Sequence, residues 1–198
     1  MAETRRLTDI VHERLGSVVQ PGDVAVDATA GNGHDTLALA RLVGESGRVF
    51  AFDTQAEALA NTRNRLERAG LLNRVELIRQ GHEQLKERLP GSICGRLAAA
   101  VFNLGYLPGG DKQQITRAAT TVPALTQAVD CLKPGGIITV VAYPGHEGGA
   151  EEFSAVEKWF GKHPSRLRAV QILDPGRKDA PVLFSGRRQL MQPSSTGH

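Results

Sequence analysis

Long hydrophobic runs are missing from this chain: no stretch approaches the ~18 apolar residues of a membrane span, which sets aside a membrane-embedded protein. Cysteine is scarce. Cys94 and Cys131 are the only two, without Cys-x-x-Cys spacing, which argues against a disulfide framework and fits a reducing compartment. The six histidines contain no His-x-x-x-His pair and no cysteine joins them, so no metal site is expected. The opening segment MAETRRLTDIVHERL lacks the apolar region of a signal peptide and has the pattern of an amphipathic helix over residues 3–16. A strong charge excess is also lacking: the net charge is +3 with a pI near 9.1, compatible with nucleic acid but within ordinary scatter. These absences lead to the expectation of a cytoplasmic protein that does not engage a membrane. The 198 residues are read as one domain over 1–190, with 191–198 as a disordered tail.

What is present is an alternation of β-rich runs and helical stretches. Strands are expected at 23–29, 48–53, 74–80, 98–105, 136–144, 168–173 and 181–186, and helices at 34–43, 55–69, 82–89, 121–132 and 150–162. The first, second, fourth and fifth strands are almost continuously apolar, as strands covered on both faces of a parallel sheet are. The pattern is that of a doubly wound α/β domain. Only the turn DPGRKDA (174–180) separates the last two strands, so the final strand is expected to be antiparallel. The segment YLPGGDKQQITRAAT (106–120) is too long for a plain connection, and Thr121 is the expected N-cap of the next helix, with Pro123 in its first turn.

The first strand runs into a glycine loop, VAVDATAGNGHDT (24–36), at the edge where open α/β sheets bind ligands. Gly31 and Gly33 permit a sharp turn and close approach of a ligand. A P-loop needs a lysine after the second glycine, and none follows Gly33; a dinucleotide fingerprint needs Gly or Ala where Thr36 stands. Asp27, just before the loop, would repel a pyrophosphate and welcome a cationic ligand. S-adenosylmethionine, with an ammonium, a sulfonium and no phosphate, suits such a site. Asp53 ends the second strand, where a carboxylate can accept both hydroxyls of an adenosine ribose. Gly81 and His82 end the third strand, where adenine would lie; His82 is equally readable as a plain helix-start residue. Thr29, Asn32, Asp35 and Gln55 complete the set assigned to the cofactor side.

After the fourth strand comes FNLGYLPGG, in which Asn103 and Tyr106 have the Asn-x-x-Tyr spacing of the acceptor loop of amine-directed methyltransferases. An attacking amine must aim its lone pair at the methyl, so acceptors such as the Asn103 amide oxygen must hold its hydrogens. Tyr106 can stack on a planar base or face a developing positive charge. Leu104 and Gly105 replace the two prolines usual in that loop. Tyr143 opens YPGHEGG at the end of the fifth strand, and His146 offers an acid or a base. Covalent chemistry through cysteine is disfavoured, because Cys94 and Cys131 precede strands and so lie at the opposite edge of the sheet.

With DATAGNGHDT, FDTQ, FNLGYLPGGDK and YPGHEGG, the chain resembles the small rRNA-methylase-like family, from about Thr8 to the seventh strand. Some members of that family methylate the aminomethyl group on C5 of the tRNA wobble uridine. The resemblance implies a Rossmann-like class I methyltransferase fold with a seven-stranded, mostly parallel sheet. It implies that Asn32, Gly33, Asp53, Gln55, Gly81 and His82 lie toward S-adenosylmethionine. It places Asn103, Tyr106, Asp111, Lys112, Tyr143 and His146 toward the acceptor, with tRNA, at its anticodon region, as the expected partner. The amphipathic N-terminal helix could serve a homodimer contact or cover the cleft. Basic residues for RNA phosphates are sought among Arg5, Arg6, Lys112, Arg177, Lys178, Arg187 and Arg188. Other readings stand beside this one: methylation of rRNA, a small amine or a protein, cofactor binding without turnover, and, disfavoured by Thr36 and Asp27, an NAD-linked oxidoreductase.

Overall fold

The runs that are apolar at every position occupy the middle of one sheet, where helices cover both faces and only such sequences can be buried. The computed structural model describes residues 6–105, 107, 109, 115–162, 165–177 and 179–190. Its strands are β1 (Val24–Asp27), β2 (Arg48–Asp53), β3 (Val75–Arg79), β4 (Leu97–Asn103), β5 (Leu132–Ala142), β6 (Leu167–Leu173) and β7 (Val182–Arg188). They form a seven-stranded sheet in the order β3-β2-β1-β4-β5-β7-β6. β1 to β5 are parallel, and β7 runs antiparallel to both β5 and β6. The order reverses between β1 and β4, which opens a crevice at their carboxyl ends.

One face carries α1 (Leu7–Gly16), α2 (His34–Leu42) and α3 (Ala56–Arg68), which pack Val11, Leu15, Leu39 and Leu66 against Ala25, Val49, Ala99 and Leu183. The other face carries α4 (Leu85–Arg88), α5 (Ala118–Cys131) and α6 (Gly149–Lys162). Here Leu125, Val156, Trp159 and Phe160 cover Phe52, Phe102 and Phe184. None of the helices among the described residues is long and apolar enough to cross a membrane.

Three local expectations change. α5 starts a turn earlier than Thr121: Arg117 is the N-cap, and Thr121 lies inside the helix, where its hydroxyl donates to Glu152 Oε1 at 2.6 Å instead of capping. β5 starts at Leu132 rather than 136, because Lys133–Gly136 form a bulge between the pairs Leu97↔Leu132 and Ala99↔Ile137, with Gly135 at φ 79°. The helix expected at 82–89 resolves into a 3-10 turn, His82–Gln84, and the single turn of α4. The N-terminal helix is described from Leu7, and the expected tail, 191–198, lies outside the described residues.

α1 belongs to the core. Leu15 is fully buried, and Arg14 donates to Ser185 Oγ on β7 at 2.6 Å. Leu15→Ala is expected to lower stability by about 2–5 kcal/mol in urea unfolding; a loss below about 1 kcal/mol would mean that the helix packs only loosely.

Candidate active site

The loop after β1 is held from beneath and from the side. Asp27 has no exposed surface; its carboxylate accepts the Thr29 N–H at 3.1 Å and the Thr36 hydroxyl at 2.5 Å. Gly33 turns with φ 77°, and a Cβ there would stand 2.9 Å from Thr62 Cα on α3, so this position excludes a side chain on both counts. Thr62 donates its hydroxyl to the Gly31 carbonyl at 3.0 Å, and Arg65 donates Nε–H to the Asn32 carbonyl at 2.6 Å. From β2, Asp53 accepts the Gly31 N–H and the Gln55 N–H, each at 2.9 Å. Each Asp53 oxygen retains acceptor capacity for a further donor.

This loop borders a cavity of about 980 Å³ at the carboxyl edge of the sheet. Of the residues singled out in the sequence, Thr29, Gly31, Asn32, Asp35, Asp53, Gln55, Gly81, His82, Asn103, Tyr143 and His146 line it. Asp27 and Gly33 do not: Asp27 sits behind the loop as its brace, and Gly33 is the contact with α3. A direct ligand contact for Asp27 is therefore corrected to an indirect role. Tyr106, Asp111 and Lys112 lie outside the described residues, as do Arg5 and Lys178. Among the other basic candidates, Arg187 gives one N–H to Ser17 Oγ and Arg188 gives one to the Val129 carbonyl.

On the acceptor side, the Asn103 N–H donates to Thr29 Oγ1 at 2.7 Å, tying the ends of β4 and β1 together. Its side-chain Nδ2 lies 3.5 Å from Asp35 Oδ2. Gly105 follows at φ 111°, and a Cβ on it would meet His146 Nε2 at 3.3 Å and Tyr143 Cδ2 at 3.8 Å, so the loops after β4 and β5 abut. Thr116 closes the far end: its N–H donates to the Gly105 carbonyl (2.9 Å) and its Oγ1 accepts the Gly105 N–H (2.8 Å). The Thr116 hydroxyl donates in turn to buried Glu152 on α6, at 2.8 Å.

Five residues of this framework escaped the sequence: His12, Thr62, Arg65, Thr116 and Glu152. His12 Nε2 lies 2.7 Å from Asp35 Oδ1. Its only sequence signal is its place beside Val11 and one turn before Leu15, the residues that face the core. Cys94 and Cys131 lie at the far end of the sheet, their Sγ atoms 2.7 Å apart as free thiols.

Burial governs the titrating groups. Desolvation, with the nearby Asp35 charge second, pushes Asp27 up to about 7. Burial lowers His82, whose Nδ1–H donates to the Ala28 carbonyl at 3.2 Å, so its imidazole is neutral. Burial raises Tyr143, keeping its phenol protonated at neutral pH, and raises Glu152 against two hydroxyl donors. The hydrogen bond to Asp35 raises His12.

Beside the cavity, and sharing Asn32 and His34 with it, a second groove of about 520 Å³ runs between α2 and α3. Its walls carry Arg41, Arg65, Arg68, Asn61 and Asn64, and no carboxylate. None of these was singled out in the sequence.

The cavity fits S-adenosylmethionine in its donor set. Its loop carries no lysine, Asp35 and Asp53 line the wall nearest the glycine turn, and Asp53 keeps free lone pairs where a ribose diol could donate. Sheet order, glycine turn and strand-end acid define a class I S-adenosylmethionine-dependent methyltransferase architecture. Residues 49–183 match the family model described as "Putative rRNA methylase", and the chain belongs to this rRNA methylase family. A crystal structure from Clostridium thermocellum named a "putative rRNA-methylase" superposes with TM-score 0.87 at 40% identity, covering 94% of this chain and 99% of that one. A Streptococcus mutans "putative methyltransferase", solved in complex with SAH, superposes with TM-score 0.81 at 31% identity, covering 94% and 99%. The chloroplastic tRNA (mnm(5)s(2)U34)-methyltransferase of Arabidopsis thaliana is 42% identical over 161 residues, 77% of this chain and 58% of that protein. The chain thus spans less than two thirds of the length of that curated relative.

Folded Asp27 holds its proton to about pH 7, whereas the unfolded chain releases it near ~3.9. Its contribution to stability therefore falls as pH rises between these values and is level above. Asp27→Asn is expected to remove that fall, so the gap in melting temperature between variant and parent should widen in the variant's favour from pH 4 to 7. A gap that does not change with pH would show that Asp27 is ionised throughout.

Proposed function

We propose that this protein transfers a methyl group from S-adenosylmethionine to an amine on RNA, and that the amine is the 5-aminomethyl group of the tRNA wobble uridine. The observation that carries the reading is Asn103, at the carboxyl end of β4, lining the cavity with its amide nitrogen turned to Asp35. The oxygen end is then left to accept an amine hydrogen. The name of the Arabidopsis relative supports the wobble uridine as acceptor.

When bound, the cofactor supplies an electrophilic methyl group on a sulfonium. The chain does the rest by placement. Asp53 and the Gly31 turn hold the adenosine end, and Asp35 adds negative potential near the cationic end. Asn103 accepts a hydrogen of the uncharged amine and so points its lone pair. Tyr143, protonated, can donate but not take up a proton; His82 gives its Nδ1–H to Ala28, and burial disfavours its protonation. The proton lost by the amine therefore goes to His146 or to water. The groove between α2 and α3 offers guanidinium groups to the RNA phosphates beside the cavity.

The deciding experiment incubates tRNA from cells lacking the protein with pure protein and S-adenosylmethionine, then weighs the nucleosides. The expected result is one added methyl on 5-aminomethyl-type uridine alone; unchanged tRNA with methylated rRNA or small amines would move the acceptor elsewhere. Asp53→Ala should weaken cofactor binding in calorimetry, and unchanged affinity would refute the ribose assignment. The double variant Arg41→Glu, Arg68→Glu should weaken tRNA binding and lower its salt slope by about 2. An unchanged slope would remove the groove from the RNA path.

A further inference from the structure

We propose that His12 is a positioning residue: from α1, through Asp35, it fixes which end of the Asn103 carboxamide meets the acceptor. The inference rests on the amine-methylation reading above and deepens it.

The two ends of a carboxamide are nearly identical in shape, so sterics alone do not choose between oxygen and nitrogen. A carboxylate at 3.5 Å does choose, because an amide oxygen facing Asp35 Oδ2 would set two acceptors against each other. That choice holds only while Asp35 itself stays in place. Its side chain is 8% exposed, and its other oxygen, Oδ1, meets His12 Nε2 at 2.7 Å. Asp35 accepts, so His12 presents an N–H. The relay therefore reads His12 N–H to Asp35 to Asn103 N–H, with the amide oxygen at its end. It joins α1, α2 and β4, three elements brought together only by the tertiary fold.

The charges around His12 support the arrangement. The hydrogen bond to Asp35 on α2 favours the imidazolium most; burial opposes it, and the charges of Asp35, Asp9 on its own helix and Asp27 on β1 add to it. Burial lowers His34, on the same helix as Asp35, with the Arg65 charge second and the His12 charge a smaller addition. Removing His12 would take away the donor on Asp35 Oδ1 and so weaken the hold on the carboxylate that Asn103 faces.

The test is a double-mutant cycle on the full chain with tRNA, S-adenosylmethionine and circular dichroism to check folding. His12→Ala is expected to lower kcat by about 10- to 100-fold. Cofactor affinity should stay within about twofold. His12→Gln, whose amide nitrogen can reach the place of Nε2, should recover part of the loss. In the Asn103→Ala background, His12→Ala should cost nothing further. Additive losses, or a loss in cofactor affinity equal to that in kcat, would overturn the proposal. An arm independent of turnover uses the side-chain amide resonances of Asn103 in the free protein, assigned by their disappearance in Asn103→Asp. They should shift and exchange faster in His12→Ala, and unaltered signals would overturn the relay. Wild-type protein that leaves tRNA unmethylated would sink the wobble-uridine reading, while the resonances would still decide the role of His12.

Discussion

A carboxylate with no access to water lies beneath the ligand loop, and the geometry above it follows from how that group is satisfied. Burying Asp27 is unfavourable unless its oxygens find donors, and the donors available are the Thr29 N–H and the Thr36 hydroxyl. Those two bonds fix the start and end of the glycine turn. Thr29, once placed, accepts the Asn103 N–H and so sets the end of β4. Asp35, next to Thr36, is carried to the point where it meets both His12 and Asn103. Replacing the carboxyl oxygens by an apolar group would leave the Thr29 and Thr36 donors unpaired and loosen the frame on which the cleft is hung.

The electrostatic layout sorts ligands by sign. Inside, Asp35 and Asp53 line the cavity with Asp27 behind them, and the lining nearest the glycine turn has no lysine or arginine. Outside, Arg41, Arg65 and Arg68 line a groove with no opposing acid. Each field is strongest where water is excluded or the surface is concave. A small cation is favoured in the interior and a polyanion on the shoulder, so the two substrates of the proposed reaction do not compete for one surface.

Much of this was legible in the chain because the relevant signals are local. Continuous apolar runs identified the central strands, the missing lysine and Thr36 narrowed the cofactor, and a turn without a helix gave the antiparallel β7. What was not legible depends on partners distant in sequence. Thr121 has the composition of an N-cap, yet Glu152 claims its hydroxyl from 31 positions away. The Lys-Pro-Gly-Gly segment resembles a loop before a strand, yet it bulges from a strand already begun at Leu132. His12 is an ordinary polar residue of an amphipathic helix until Asp35, 23 positions on, is folded against it. Arg65 belongs to a helix face rich in arginine, and only the path of α2 beside it makes a groove.

The packing of α1 bears on the order in which the molecule can be made. Synthesis delivers this helix before the sheet, yet the surface that receives it includes Ile137 and Val141 of β5 and Leu183 of β7, the last of the seven described strands. The Arg14–Ser185 bond spans 171 positions. Contacts of such separation form late, since the closure entropy must be met before they give anything in return. A nascent chain can therefore assemble β1 to β4 while α1, and with it His12, waits undocked. The cleft gains its full set of side chains only when the C-terminal strands are in place, so a chain stopped short of β7 would hold most of the fold with an incomplete site.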